Sequence, residues 1–365
     1  MTRTVAFRSL GCKLNQYEIQ AMREEFAREG FVEVTGETAA DVMVLNTCTV
    51  TRNADRRSRE MIRSFHRTHP EARIIVTGCY ADADRERLET MPGVAAVLTN
   101  AEKGRMLNEL TGLEPHAPAR GAFGGAGVSY FRDREKAFVK VQDGCNHACS
   151  YCVIPRVRGG LQSRQPQDAV DEVRRLLESG HREIVLCGVC LGSYGRDLPG
   201  RPDLIGLVRQ ILEIPSDFRL RLSSVDPRHF DMGLADLMHE DSRLAPHLHL
   251  SLQSGSGRIL KAMRRGYTAA DYRNLVSEIL GRFGDIGLTT DVIVGFPGED
   301  DEAFEQTRSF LAGIPFHRIH FFSFSPRPRT AAALMKPEIP APQIRSRLKI
   351  LKGELTERLD VMQQA

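Results

Sequence analysis

Short apolar runs alternate with helix-length amphipathic segments along most of the chain, and this alternation constrains the fold more than any single residue. From Thr4 to Leu110 it reads as strand Thr4 to Arg8, helix Gln16 to Arg28, strand Val42 to Leu45, helix Asp55 to His66, strand Arg73 to Thr77, strand Val94 to Leu98 and helix Lys103 to Leu110. Strands separated by helices cannot pair through tight turns, so the segment predicts a parallel sheet flanked by helices. From Phe138, six further strand-then-helix units follow. Their strands are Phe138 to Gln142, Glu183 to Leu186, Arg219 to Ser223, His247 to Leu252, Leu288 to Val294 and Arg318 to Phe324. The helical patterns between them include Pro166 to Ser179, Leu204 to Leu212, Ala269 to Phe283 and Glu302 to Leu311. Six consecutive units predict a partial (β/α)6 barrel, open on one side, whose chemistry belongs at the carboxyl ends of its strands.

Gly112 to Ser129 is poor in large apolar residues and carries Pro115, Pro118, Gly121, Gly124, Gly125 and Gly127, so it reads as a linker. The expected class is therefore α/β, with a parallel-sheet domain over 1–115, a linker over 116–130, a barrel over 131–335 and a C-terminal helix within 336–365. A chain of 365 residues suits two such cores.

The cysteines fall where this fold places chemistry. Cys145, Cys149 and Cys152 are spaced C-x3-C-x2-C directly after the first barrel strand. Three thiolates hold three irons of a four-iron cluster and leave the fourth open to a small molecule, whereas a purely electron-transferring cluster has a fourth thiolate. A Cys3His zinc site with His147 is the competing reading, but a histidine inside so short a loop is hard to aim at the same metal. Cys12, Cys48 and Cys79 follow the first three strands of the N-terminal sheet. All three belong to the carboxyl edge, where open α/β sheets bind ligands, so a second three-thiolate site is expected there. Cys187 and Cys190 lack two further ligands and read as ordinary thiols.

Charge and composition narrow the function less. Net charge is +3, hydrophobic residues make up 41% and charged residues 27%, which suits a soluble globular protein. No apolar run approaches the ~18 residues of a membrane helix. The N-terminus resembles neither a signal nor a transit peptide, and clustered metal-type cysteines suit a reducing cytoplasm. Arg52, Arg56, Arg57, Arg59, Arg63 and Arg67 crowd one helix, and Arg156, Arg158 and Arg164 follow the cysteine loop. Two basic patches of this kind are compatible with a phosphate-bearing partner.

The segments around both triads resemble one family. Leu10-Gly11-Cys12-Lys13-Leu14-Asn15-Gln16-Tyr17-Glu18, Asn46-Thr47-Cys48-Thr49-Val50 and Thr77-Gly78-Cys79-Tyr80 are similar to auxiliary-cluster segments of the radical S-adenosylmethionine (SAM) methylthiotransferases. Gly144 to Cys152, with Ile154-Pro155, Arg158-Gly159 and Ser163-Arg164, is similar to their radical-cluster loop. His249 to Ser256, Met263 to Thr268 and Asp291 to Glu299 are similar to later barrel motifs. The resemblance runs from residue 3 to about residue 335.

It implies that Cys145, Cys149 and Cys152 bind a [4Fe-4S] cluster that reduces SAM to a 5′-deoxyadenosyl radical. Cys12, Cys48 and Cys79 would bind a second [4Fe-4S] cluster bearing the sulfur to be methylated. Tyr151 would lie against the adenine of SAM, and Ser223, Ser224 and Gln253 are strand-end candidates for further SAM contacts. The Lys13 to Glu18 signature resembles bacterial enzymes acting on tRNA threonylcarbamoyladenosine beside the anticodon. Enzymes acting on isopentenyladenosine, or on a ribosomal protein, carry other residues there and are the alternatives. The implied partners are the tRNA anticodon stem-loop, an external electron donor and a sulfur donor, with no membrane.

Two departures are evident. The family has a small C-terminal β-barrel (TRAM domain) that grips tRNA, which 336–365 does not supply, so the expectation is either a truncated chain or RNA binding by other surfaces, the arginine patches among them. It also has glycine where Arg329 stands in Ser325 to Thr330. Two other classes compete with this reading. A non-catalytic zinc RNA-binding module would explain the cysteines and basic patches. A nicotinamide dehydrogenase is excluded because Leu10 to Asn15 lacks a G-x-G-x-x-G turn.

Overall fold

A computed structural model of the chain describes residues 3–35, 40–111, 127–132, 135–284 and 286–364, with side chains left undescribed at 111 and 356–364. Most of the expected linker, 116–126, lies outside the described residues. The chain divides into two compact units. The first comprises Met1–Asn146, Ile154–Val189 and Tyr194–Pro202, and the second His147–Val153, Cys190–Ser193 and Asp203–Ala365.

In the first unit, strands β1 (Thr4–Ser9), β2 (Val32–Glu33), β3 (Val42–Thr47), β4 (Arg73–Gly78) and β5 (Val94–Leu98) form a five-stranded sheet in the order β2-β1-β3-β4-β5. Every pair is parallel, as the alternation predicts. Strand β3 is buried at every position, which is why it opens with the continuous apolar run Val42 to Leu45. Helix Lys13–Arg28 covers one face through Ile19, Met22 and Phe26, which pack with Phe7, Val44 and Ile75. Each such side chain stabilises the fold by roughly 1.5–3 kcal/mol on burial. Helix Arg52–Thr68 is capped by Thr51, whose side chain accepts from the Ala54 N–H, and buries only Ser58 and Ile62 fully. Its other residues are therefore free to be charged.

The first unit also holds β6 (Lys136–Lys140), β7 (Gln142–Asp143), β8 (Gln162–Ser163) and β9 (Glu183–Cys187). β6 and β9 pair in parallel. The expected strand Phe138 to Gln142 starts earlier and breaks after Lys140, because Gln142 and Asp143 turn to pair antiparallel with β8.

The second unit contains β10 (Arg219–Leu222), β11 (His247–His249), β12 (Gly287–Val294) and β13 (Arg318–Ser323). β11, β12 and β13 are parallel neighbours, and single parallel bridges join Leu220 to Leu244 and Val225 to Leu250. Helices Gly233–Glu240, Ala269–Arg282 and Asp301–Ala312 follow β10, β11 and β12 in turn. The elements are those of an α/β chain, with an N-terminal parallel sheet followed by further parallel strands that alternate with helices. The C-terminal helix Ala341–Gln364 is anchored by buried Arg347, which donates to the Glu299 carboxylate at 2.9 Å. Among the described residues, no helix is long and apolar enough to cross a membrane.

Candidate metal centres

Cys12 caps helix Lys13–Arg28 through its backbone, Cys48 directly follows β3, and Cys79 opens the short helix Cys79–Ala83 after β4. The parallel sheet therefore delivers all three expected residues to one edge. Two glycines leave room for them. A Cβ on Gly11 would stand 2.8 Å from Cys48 Cβ and 3.2 Å from its sulfur, at a φ of +114° that favours glycine. A Cβ on Gly78, at φ +92°, would stand 2.3 Å from Asn46 Oδ1.

Asn15 holds two of these loops together. Its Nδ2 donates to the Leu10 carbonyl at 2.7 Å and the Thr47 carbonyl at 2.9 Å. The Cys12 thiol lies 3.7 Å from its Oδ1. Arg158 reaches the third cysteine, with Nε 3.2 Å from Cys79 Sγ. Its Nη1 donates to Glu18 at 2.8 Å and to both Asp143 oxygens at 3.1 and 3.0 Å, and its Nη2 donates to Asn15 at 2.7 Å. Lys103 also pairs with Glu18, and Lys140 pairs with Glu18 and Asp143.

Burial by itself would raise the Glu18 carboxyl, but Arg158, Lys103 and Lys140 overcome it and hold the group well below the carboxylate range. Burial pushes the Cys48 thiol up to about 12, and the neighbouring Cys79 and Cys12 add to the rise. Cys79 is likewise raised by burial, against the pull of Arg158 and Lys103. Cys48 and Cys79 are buried and Cys12 is exposed; sulfur ligands at one sheet edge bind metal as thiolates, so the donor set suits a metal cluster.

In the radical-loop segment, Cys145 belongs to the first unit, where its N–H donates to the Gly159 carbonyl at 3.1 Å. Cys149 and Cys152 belong to the second, joined by a backbone hydrogen bond of 3.1 Å. Ser150 pins their turn by donating from its N–H to the Met263 carbonyl at 3.0 Å and from its hydroxyl to the Ala262 carbonyl at 2.8 Å. Arg265 Nη1 lies 3.4 Å from Cys149 Sγ. Arg265 is itself held by Asp226 at 2.7 Å and by the Tyr267 hydroxyl at 3.0 Å.

Tyr151 packs against Ile259, Met263 and Phe296, with its hydroxyl 3.5 Å from Arg265. Gln253 follows β11 at φ +78° and bridges to Val292 through its backbone, and Ser223 is buried directly after β10 with Ser224 half-buried beside it. His147 turns to His229, Nε2 to Nε2 at 3.0 Å, and lies 3.5 Å from Cys190 Sγ. Cys187 is fully buried, and burial raises its thiol to about 12.

Sequence reasoning missed the buried charge network. Glu18, Lys140 and Arg265 lie in the motif and strand segments without a role read for them, and Asp143 lies between two such segments. Arg158 and Arg164 were read as part of a phosphate-facing patch, and the structure corrects this. Both are buried, Arg158 on Glu18 and Asp143, Arg164 on Glu172, so only Arg156 of that patch is exposed. The first patch keeps Arg52, Arg56, Arg57, Arg63 and Arg67 exposed, while Arg59 donates to the Tyr80 hydroxyl. The signal that could have separated them is periodicity: the first lies on a long amphipathic helix, the second in a Gly-rich turn.

Residues 4–99 match a family described as uncharacterized protein family UPF0004, and residues 139–311 match the radical SAM superfamily. The chain is 37% identical over 361 residues to the threonylcarbamoyladenosine tRNA methylthiotransferase MtaB of Aquifex aeolicus, covering 95% of this chain and 87% of that protein. It is 34% identical over 370 residues to a tRNA-2-methylthio-N(6)-dimethylallyladenosine synthase of Chloroflexus aurantiacus, covering 96% of this chain and 78% of that protein. The solved radical SAM methyltransferase TsrM from Kitasatospora setae has the same fold, with a TM-score of 0.66 at 17% identity, covering 92% of this chain and 77% of that one.

Proposed function

This chain belongs to the radical SAM methylthiotransferase family, and from that premise we propose that it adds a methylthio group to C2 of threonylcarbamoyladenosine in tRNA, beside the anticodon. The observation that carries the reading is the sheet-edge triad of Cys12, Cys48 and Cys79, separate in the chain from the C-x3-C-x2-C loop. Sulfur insertion needs a radical source and a sulfur carrier, and two thiolate sites supply one place for each. Cys145, Cys149 and Cys152 would hold one [4Fe-4S] cluster, and Cys12, Cys48 and Cys79 the other. When bound, these clusters and SAM supply the electron, the hydrogen abstraction and the sulfur, while the protein orients them and excludes water.

The chain's own residues then have defined tasks. Arg265 steadies Cys149 and carries positive charge beside it, with Asp226 fixing the guanidinium. Tyr151, Ser223, Ser224 and Gln253 line the SAM contacts. Exposed arginines of helix Arg52–Thr68 attract the phosphates of the anticodon stem-loop. An external reductant and a sulfur donor complete the reaction, which belongs in the reducing cytoplasm. A carbamoyl-threonine group carries a carboxylate that suits arginine, whereas an isopentenyl group calls for an apolar pocket.

The test is mass spectrometry of tRNA nucleosides from a strain lacking the gene. The 2-methylthio form of threonylcarbamoyladenosine should disappear and the isopentenyl counterpart should remain. The reverse result would assign the chain to the dimethylallyl branch.

A further inference from the structure

We infer that Arg158 is a positioning residue for the N-terminal cluster site, fixing Cys79 by a hydrogen bond to its sulfur and raising the reduction potential of the group bound there. This inference rests on the reading of Cys12, Cys48 and Cys79 as cluster ligands.

The first support is geometry. The Arg158 side chain is 1% exposed, and its Nε points at Cys79 Sγ at 3.2 Å. The remaining donors of the fork are spent on Glu18, Asp143 and Asn15. A planar guanidinium anchored on three sides cannot swing away from the sulfur, which a flexible ammonium could do. Asn15, which bonds the loops carrying Cys12 and Cys48, thus joins the same network as the donor to Cys79.

The second is charge. Three cations, Arg158, Lys103 and Lys140, pair directly with two carboxylates, Glu18 and Asp143. Asp82, half-buried nearby, hydrogen-bonds Asn100. Asp82 also faces Lys103 and Arg158, so three carboxylates balance the three cations before Cys79 is counted, and the positive charge at the Cys79 sulfur is the Arg158 guanidinium, 3.2 Å away. Hydrogen bonds and positive charge at ligand sulfur favour the reduced state of an iron–sulfur cluster, which carries one more electron.

The third is position. Helix Ile154–Val157, which delivers Arg158, follows directly on the C-x3-C-x2-C loop in sequence. One chain segment therefore carries the radical-loop cysteines and, a few residues on, the donor to the other triad.

The test uses the full chain with Cys145→Ala, Cys149→Ala and Cys152→Ala, so that one cluster site remains. It is reconstituted anaerobically and followed by iron analysis and potentiometric EPR titration. In Arg158→Gln the reduced-to-oxidised ratio at fixed poise should fall about tenfold, a shift of about 59 mV for one electron. Arg158→Lys keeps the charge without the fork and should shift the same way by less. An unchanged midpoint and spectrum in a folded Arg158 variant overturns the inference. If Arg158→Gln does not fold, the lysine variant decides alone. If the parent variant binds no iron, or binds it equally after Cys12→Ala and Cys48→Ala, the cluster reading itself fails, an outcome distinct from failure at Arg158.

Discussion

Lys140 Nζ lies 2.9 Å from Glu18 Oε1, although 122 residues separate them. The contact ties the first barrel strand, β6, to the helix that follows Cys12. Both side chains are buried, at 1% and 8% exposure, so neither charge can turn to water for compensation. Lys140→Met strands the negative charge of Glu18 and Asp143 against fewer cations. It should lower stability by roughly 3 kcal/mol in chemical denaturation, and adding Glu18→Gln should recover part of that loss. A loss in the double variant equal to the sum of the losses in Lys140→Met and Glu18→Gln alone would mean that the pair is not coupled.

Acid stability should report Asp226. Burial opposes its ionisation, but Arg228 and Arg265 hold its carboxyl at about 2 against an ordinary 3.8. A depressed carboxyl contributes stability that is complete above the unfolded value and is lost as pH falls through the folded one. Asp226 therefore contributes about 2 kcal/mol above pH 3.8, declining toward pH 2. Asp226→Asn should flatten that part of the stability profile, measured by denaturant midpoints between pH 2 and 5. An identical acid limb in the variant would exclude the pairing as its source.

Arg329 should be a local cost. It holds φ +64° in an exposed turn. An L side chain in this region carries roughly 1 kcal/mol of strain, which glycine removes at some expense in unfolded-chain entropy. Arg329→Gly should therefore leave stability unchanged or raise it by up to about 1 kcal/mol, whereas Arg329→Val should lower it. A clear loss on Arg329→Gly would show that the arginine side chain contributes more than its backbone costs.

Iron content should separate the two triads. The reconstituted chain should carry about eight irons, falling to about four after Cys145→Ala, Cys149→Ala and Cys152→Ala. Gly11→Ala pushes a methyl against Cys48 and should halve the iron while leaving far-UV circular dichroism intact. Loss of all iron in the triple variant would argue for one shared site.

The arginine helix should dominate what phosphate attraction the chain has. Arg56→Ala with Arg57→Ala should weaken tRNA binding and reduce the salt slope by about 2, measured by filter binding from low to physiological salt. Arg164→Lys, a change at a buried pair, should leave that slope as it is. A salt slope unmoved by the Arg56 and Arg57 changes would assign the contact to another surface.

The parallel sheet, the alternation of strand with helix and the place of Cys12, Cys48 and Cys79 after three parallel strands were legible in the sequence because each rests on local pattern. Spacing within a loop and the alternation of strand with helix are properties of neighbouring residues, and strand ends then carried Cys12, Cys48 and Cys79 to one edge. The partners of buried charge were not legible. Nothing near Arg158 in the chain indicates that Glu18, 140 residues earlier, accepts from it, or that its Nε turns to Cys79. Arg156 and Arg158 differ by two positions, yet one is exposed and the other buried, because helix Ile154–Val157 ends between them and turns only the second inward. Exposure and ion pairing depend on which surfaces the fold closes over, and that was decided only when the sheet, the N-terminal helix and β6 packed together.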